Sequence, residues 1–133
     1  MSPQQEIFTA VRQGLVAAGG DVYDTVLPPA DTPYPFYYLG NTRQTDDPMT
    51  YKNALVATVY QDIHIWHNEP RKRGTVSQMM QTVRKVCYGL ETTASYRWQL
   101  ISFEEQLLED TTTKTPLLHG VATVGFRLLG GTQ

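Results

Sequence analysis

Between Ala54 and Leu90 the hydrophobic positions change period once, and the change divides the stretch into two elements. In the first half Leu55, Ala57, Val59, Ile63 and Ile65 recur at every second residue, with Gln61 as the only polar interruption. That spacing places side chains on one face of a strand. In the second half Val76, Met79, Met80, Val83, Val86, Cys87 and Leu90 recur at steps of three and four, which is the stripe of an amphipathic helix about four turns long. The polar run His67 to Gly74 separates them. The pattern predicts a strand, a basic turn and a helix whose two apolar stripes bury each other.

The flanking segments extend this unit. Ser2-Pro3-Gln4-Gln5 is a helix start, with Ser2 as N-cap, Pro3 where a missing N–H costs nothing, and Gln5 completing a capping box. Ile7, Phe8, Val11, Leu15 and Ala18 form its stripe, and Gly19-Gly20 stops it. Asp21 to Leu27, with Val22, Tyr23, Val26 and Leu27, predicts a short edge strand ahead of Pro28-Pro29. Thr32-Pro33-Tyr34-Pro35 is held extended by its prolines and leads into an aromatic strand, Phe36 to Gly40. Asn41 to Lys52 is polar and aperiodic, which predicts a loop. Thr75 is the expected N-cap of the second helix, with Gln78 completing its box.

Beyond Gly89, Tyr96 to Leu108 alternates as a strand, with Gln99, Ile101, Phe103, Glu105 and Leu107 on one face and Trp98, Leu100, Ser102, Glu104 and Gln106 on the other. Glu109 to Pro116 is a polar turn. Leu117 to Leu129 returns with Leu118, Ala122, Val124, Phe126 and Leu128 on one side, and Gly125 marks a bulge or a close approach. The predicted class is α+β, in the order α-(β)-β-β-α-β-β. It has a mostly antiparallel sheet of four strands, five with the short one, and two helices on one face. Val59, Ile63, Ile65, Val76, Met79, Met80, Val83, Leu90 and Phe126 are the expected core. The other face, carrying Tyr60, Trp66, Trp98, Leu100 and Val121, is too apolar for a solvated surface and predicts a covering subunit.

Composition narrows the function classes. A chain of 133 residues suits one core, so residues 1–133 are expected to form one domain. A net charge of −2 gives no general attraction to nucleic acid or anionic membrane. The single cysteine, Cys87, lies on the helix stripe and reads as a buried, inert thiol. There is no membrane-spanning run and no signal peptide, which predicts a cytoplasmic product.

Chemistry is sparse. His64 and His67 stand an odd number of residues apart, on opposite faces of a strand, and His119 has no Cys or carboxylate at ligand spacing, so no metal site is expected. Glu104, Glu105, Glu109 and Asp110 could suggest a metal-dependent nuclease. However, none of Lys52, Lys72, Lys85 and Lys114 has an acidic residue two places before it, and no phosphate loop or nucleophile elbow occurs. No enzyme, catalytic residue or cofactor is expected. Arg71, Lys72 and Arg73 precede a helix N-terminus, where the macrodipole disfavours cations. They are candidates for an interface with Glu104, Glu105, Glu109 and Asp110 of a neighbour, a solvated turn being the alternative.

The N-terminal helix, the aromatic strand Pro35 to Tyr38, the strand ending Ile63-His64-Ile65-Trp66, the basic turn, the Met79-Met80 helix and the hairpin ending Gly120 to Phe126 together resemble tail terminator and tail completion proteins of siphophages of Gram-positive bacteria. The resemblance covers most of the chain and rests on apolar and aromatic patterns, without a catalytic signature. It implies a structural subunit of the virion tail, made in the host cytoplasm and assembling as a ring, typically a hexamer. Such a ring ends tail-tube growth, joins tail to head, and leaves an opening for genomic DNA. Its implied partners are its own copies, the tail tube protein and a head–tail connector protein, with no membrane involved. A head-completion protein of the same module would look alike. The competing classes are a small nuclease using the Glu104 to Asp110 carboxylates and a monomeric adaptor binding nucleic acid through Arg71 to Arg73.

Overall fold

The computed structural model describes residues 1–24, 31–47, 56–112 and 114–131. The elements are α1 (Pro3–Ala17), β1 (Val22–Tyr23), β2 (Phe36–Asp46), β3 (Ala57–His67), α2 (Arg73–Tyr88), β4 (Tyr96–Asp110) and β5 (Leu117–Gly131). The fold is α+β. Its five strands form one sheet in the order β1-β2-β3-β5-β4. Among the described residues only β1 and β2 run parallel, and the other neighbouring pairs are antiparallel.

Both helices pack on one face. Ile7, Val11 and Leu15 of α1 and Val76, Met80, Val83 and Cys87 of α2 meet Val59, Ile63, Ile65, Ala122, Val124 and Phe126 of the sheet in one core cluster. Met79 and Leu90 are only partly buried and pack against that cluster. Leu55, Val26 and Leu27 lie outside the described residues. Two close approaches set the packing distances, one between α1 and α2 and one between α2 and the sheet. A Cβ on Gly14 would lie 2.5 Å from Val86 Cγ1, and one on Gly120 would lie 3.2 Å from Val76 Cγ1. Burial pushes the Cys87 thiol up to about 12, as befits an inert core cysteine.

Gln61, the polar interruption in the β3 stripe, is wholly buried. The register of β2 against β3 shifts between Leu39 and Thr42, and this irregularity gives Gln61 its partners. Its Oε1 accepts from Thr42 Oγ1 at 2.6 Å, and its Nε2 donates to the carbonyls of Asp62, Gly40 and Asn41 at 2.9, 3.4 and 3.4 Å. One amide thus satisfies backbone groups that the ladder leaves over.

The structure corrects several expectations. Residues Asn41 to Asp46, expected as loop, continue β2. Of these, Thr42 to Asp46 pair with Gln61 to Ala57 although their side chains lie at the polar margin of the core, so hydrogen bonding rather than burial makes them a strand. The helix α2 starts two residues before Thr75, because Thr75 N and Val76 N both bond to the Lys72 carbonyl. Lys72 is the N-cap and supplies no side-chain hydrogen bond. In α1 the expected cap holds, with Ser2 Oγ accepting from Gln5 N at 3.3 Å, but Ala18 is exposed and Glu6 is buried instead. The Glu6 carboxylate accepts from Ser95 N at 2.9 Å. Burial pushes its pKa up, but hydrogen bonds from Thr93 and Ser95 outweigh this and hold it below the ordinary value.

The largest correction concerns β4. A register shift between Leu100 and Ser102 leaves Ile101 outside the pairing, so alternation reverses there. Trp98 and Leu100 therefore join Phe103 and Leu107 against the core, and Trp98 is almost wholly buried. Its Nε1 donates to Thr93 Oγ1 at 2.9 Å and its ring meets Phe126 edge-on. Gly125 stands opposite Ser102 beside this bulge, and a Cβ there would lie 2.5 Å from Ser102 Oγ and 2.9 Å from Tyr60 Cε1.

Candidate assembly surfaces

The sheet face opposite the helices keeps Tyr60, Trp66 and Val121 of the expected apolar set and gains two histidines. His64 lies opposite Val121 and Trp66 opposite His119 in the β3–β5 ladder, so His64 and His119 are diagonal neighbours on one face. Their rings approach edge to edge, with His64 Nδ1 2.7 Å from His119 Nε2. Trp66 stacks on His119 with centroids 3.8 Å apart and planes 6° from parallel, while Tyr38 lies 5.9 Å from His64. All four rings are partly exposed. Among the described residues no helix or strand lies over them. Further along this face, the Arg43 guanidinium sits 4.5 Å above the Tyr60 ring and Thr123 Oγ1 donates to Asp62 Oδ1 at 3.0 Å.

A hydrogen bond between two imidazoles needs one donor and one acceptor, so the two facing nitrogens hold a single proton between them. Burial and the neighbouring His64 push His119 down to about 4, against the pull of Asp110. Burial also lowers His64, opposed by Asp62. Both rings are therefore neutral near pH 7. Their nitrogen separation of 2.7 Å is a hydrogen-bond length, shorter than the roughly 3.3 Å between two nitrogens sharing a tetrahedral zinc ion. Among the described residues no group of three metal-ligating side chains occurs. His67 is buried on the helix side, as its odd spacing from His64 requires.

The charged candidates fall into separate places. Arg71, Lys72 and Arg73 are exposed and enter no ion pair among the described residues. With α2 uncapped and no acidic residue in its first turn, these cations stand against the helix dipole. Glu105 lies on the helix side of β4, where its Oε1 meets Arg84 Nη2 at 2.9 Å. Arg84 also covers the Phe103 ring. Glu104 is exposed on the opposite face, level with Thr123. Glu109 is exposed, and Asp110 accepts from Thr112 N and Oγ1 at 2.9 and 2.6 Å, which lowers its pKa. His67 pairs with Leu118, and Leu118 with Glu109. The basic turn and the Glu109–Asp110 end of β4 thus share one end of the sheet, two strands or roughly 10 Å apart.

Sequence reasoning therefore found the charged residues but not the aromatic and histidine strip. The alternation of His64 and Trp66 was visible, whereas their meeting with His119 depends on the register between strands more than fifty residues apart in sequence.

No protein-family model matches the chain, and no curated protein matches its sequence. Among solved structures, the fold is similar to a chain in the virion of a native gene transfer agent particle, with a TM-score of 0.63 and 16% identity, covering 98% of this chain and 96% of that one. At this identity the likeness is one of fold.

Proposed function

We propose that this chain is a structural subunit of a phage-like particle, acting as a ring at the head-proximal end of the tail, where it ends tube growth and joins tail to head. The observation that carries the proposal is the likeness, over nearly the whole of both chains, to a component of a gene transfer agent virion. A ring built from one chain uses heterologous contacts that repeat around an axis, and the chain offers surfaces of the required kind. The strip Tyr38, His64, Trp66 and His119 is large, aromatic and partly exposed, as interface cores are. The basic turn Arg71 to Arg73 and the Glu109–Asp110 end supply rim charges that set encounter and register.

A nuclease is a poorer reading of the same residues. Glu105 is engaged by Arg84, Glu104 points to the opposite face, and Asp110 is held by Thr112, so the carboxylates do not converge. A head-completion role differs from a terminator role only in the neighbour touched. Omitting the chain from an assembling phage-like particle tests the proposal. Heads and unjoined tails of excessive length are expected; unjoined tails of normal length would favour head completion, and normally joined particles would overturn both.

A further inference from the structure

We propose that neighbouring copies join edge to edge, the outer edge of β4 from Gln99 onward in one copy pairing antiparallel with the Thr42–Thr45 stretch of β2 in the next, so that the sheet runs on around the ring. This rests on the ring reading above and adds the surface that makes it.

Three observations carry the inference. First, β4 is fifteen residues long and lies at the end of the sheet, with β5 on one side. Among the described residues its outer edge is met at Tyr96–Trp98 by the Glu91–Thr93 segment, through the Thr92–Arg97 bridge and the Trp98 N–Glu91 O bond of 2.8 Å, and no strand pairs with that edge from Gln99 onward. At the other end, among the described residues, β1 covers β2 only at Tyr37 and Tyr38. Such open edges are templates for another chain unless something blunts them. Second, strand polarity fits. Each of the pairs β2–β3, β3–β5 and β5–β4 is antiparallel, so β4 and β2 of one copy run in opposite directions. A copy placed beside the first by rotation about an axis along the strands therefore presents an antiparallel β2 to β4, the more stable pairing.

Third, the side chains match at the level that the registers define. Thr45 is level with Thr58, Arg127 and Gln99, and Arg43 with Tyr60, Gly125 and Ser102. Unstaggered continuation brings Thr45 opposite Gln99 of the next copy and sets Arg43 diagonal to Glu104 on the same face, within reach of long side chains. Both Arg43 and Glu104 are exposed, and among the described residues Glu104 has no ion-pair partner. Ile101, at the bulge of the β4 edge, is 45% exposed and would be covered by the arriving strand.

The test combines sedimentation with cross-linking of the full chain. Arg43→Glu and Glu104→Arg should each raise the concentration of half-assembly about five-fold or more, and the combination should restore it, with circular dichroism unchanged throughout. Oxidising the Thr45→Cys/Gln99→Cys variant should give a ladder of covalent multimers, which the parent, whose Cys87 is buried, does not give. If the parent assembles but the ladder is absent and the charge variants assemble normally, the edge pairing is wrong while the ring stands. A parent that stays a monomer at every concentration overturns both.

Discussion

His64 and His119 hold one another by a 2.7 Å bond between ring nitrogens, on strands that the fold alone makes neighbours. The bond survives only while at least one ring is neutral. The other charged or titratable groups around the pair are Asp62 on β3 and Asp110 on β4, both of which favour protonation, with Tyr38 facing His64 from β2.

The first prediction is a loss of stability with acid that begins above the carboxylate range. The folded-state value of His119 is depressed from 6.5 to about 4. Between those values the unfolded chain binds a proton that the folded chain does not, so the contribution is complete above pH 6.5 and declines as pH falls through that window. Urea titrations at pH 7 and pH 5 should show the decline in the parent and a smaller one in His119→Phe, which keeps the ring on Trp66. Equal slopes in the two proteins would mean that the pair does not titrate as described.

Replacing Gln61 by Met should cost about 1–3 kcal/mol, because the volume is kept while buried carbonyls of the β2 irregularity lose their donor. Chemical denaturation measures this directly. A neutral effect would show that Gly40 and Asn41 find other donors, for example water.

Val83 has no exposed surface, so Val83→Asp places an unpaired carboxylate in the core and should cost several kcal/mol, a large part of a small domain's stability. Insoluble or unfolded protein is the expected result. A melting temperature within a few degrees of the parent would contradict the position given to α2.

These residues also show what the sequence made legible. Val83 and its stripe were readable because burial on one helix face imposes a period on the chain, and the β3 and β5 stripes were readable for the same reason. Trp98 was not, because the irregularity at Ile101 reverses alternation without leaving a glycine or proline at that position to mark it. Asn41 to Asp46 were missed since a strand held by ladder hydrogen bonds at the edge of the core needs no apolar period. The two histidines were each visible, but a diagonal contact between strands is a property of register, which local pattern does not encode. The charged candidates were legible as charges, and their division among two faces and one end of the sheet was not.

Reversing the basic turn, as Arg71→Glu/Lys72→Glu/Arg73→Glu, should separate folding from assembly. Glutamates at the start of α2 agree with the helix dipole, each by a few tenths of a kcal/mol, so the melting temperature should hold or rise. Head–tail joining should fall, and its salt dependence should change. Unimpaired joining at low and moderate salt would return the three residues to a solvated turn.

The central claim is that the chain works as a ring of identical subunits, and its mass in solution tests this most directly. Sedimentation equilibrium of the purified 15.0 kDa chain, carried to high protein concentration, should resolve one closed species at a fixed whole-number multiple of that mass, six being the multiple expected from the resemblance to tail terminators, with no larger series beyond it. A single species of 15.0 kDa at every concentration, or an open-ended series without a preferred size, would contradict the account.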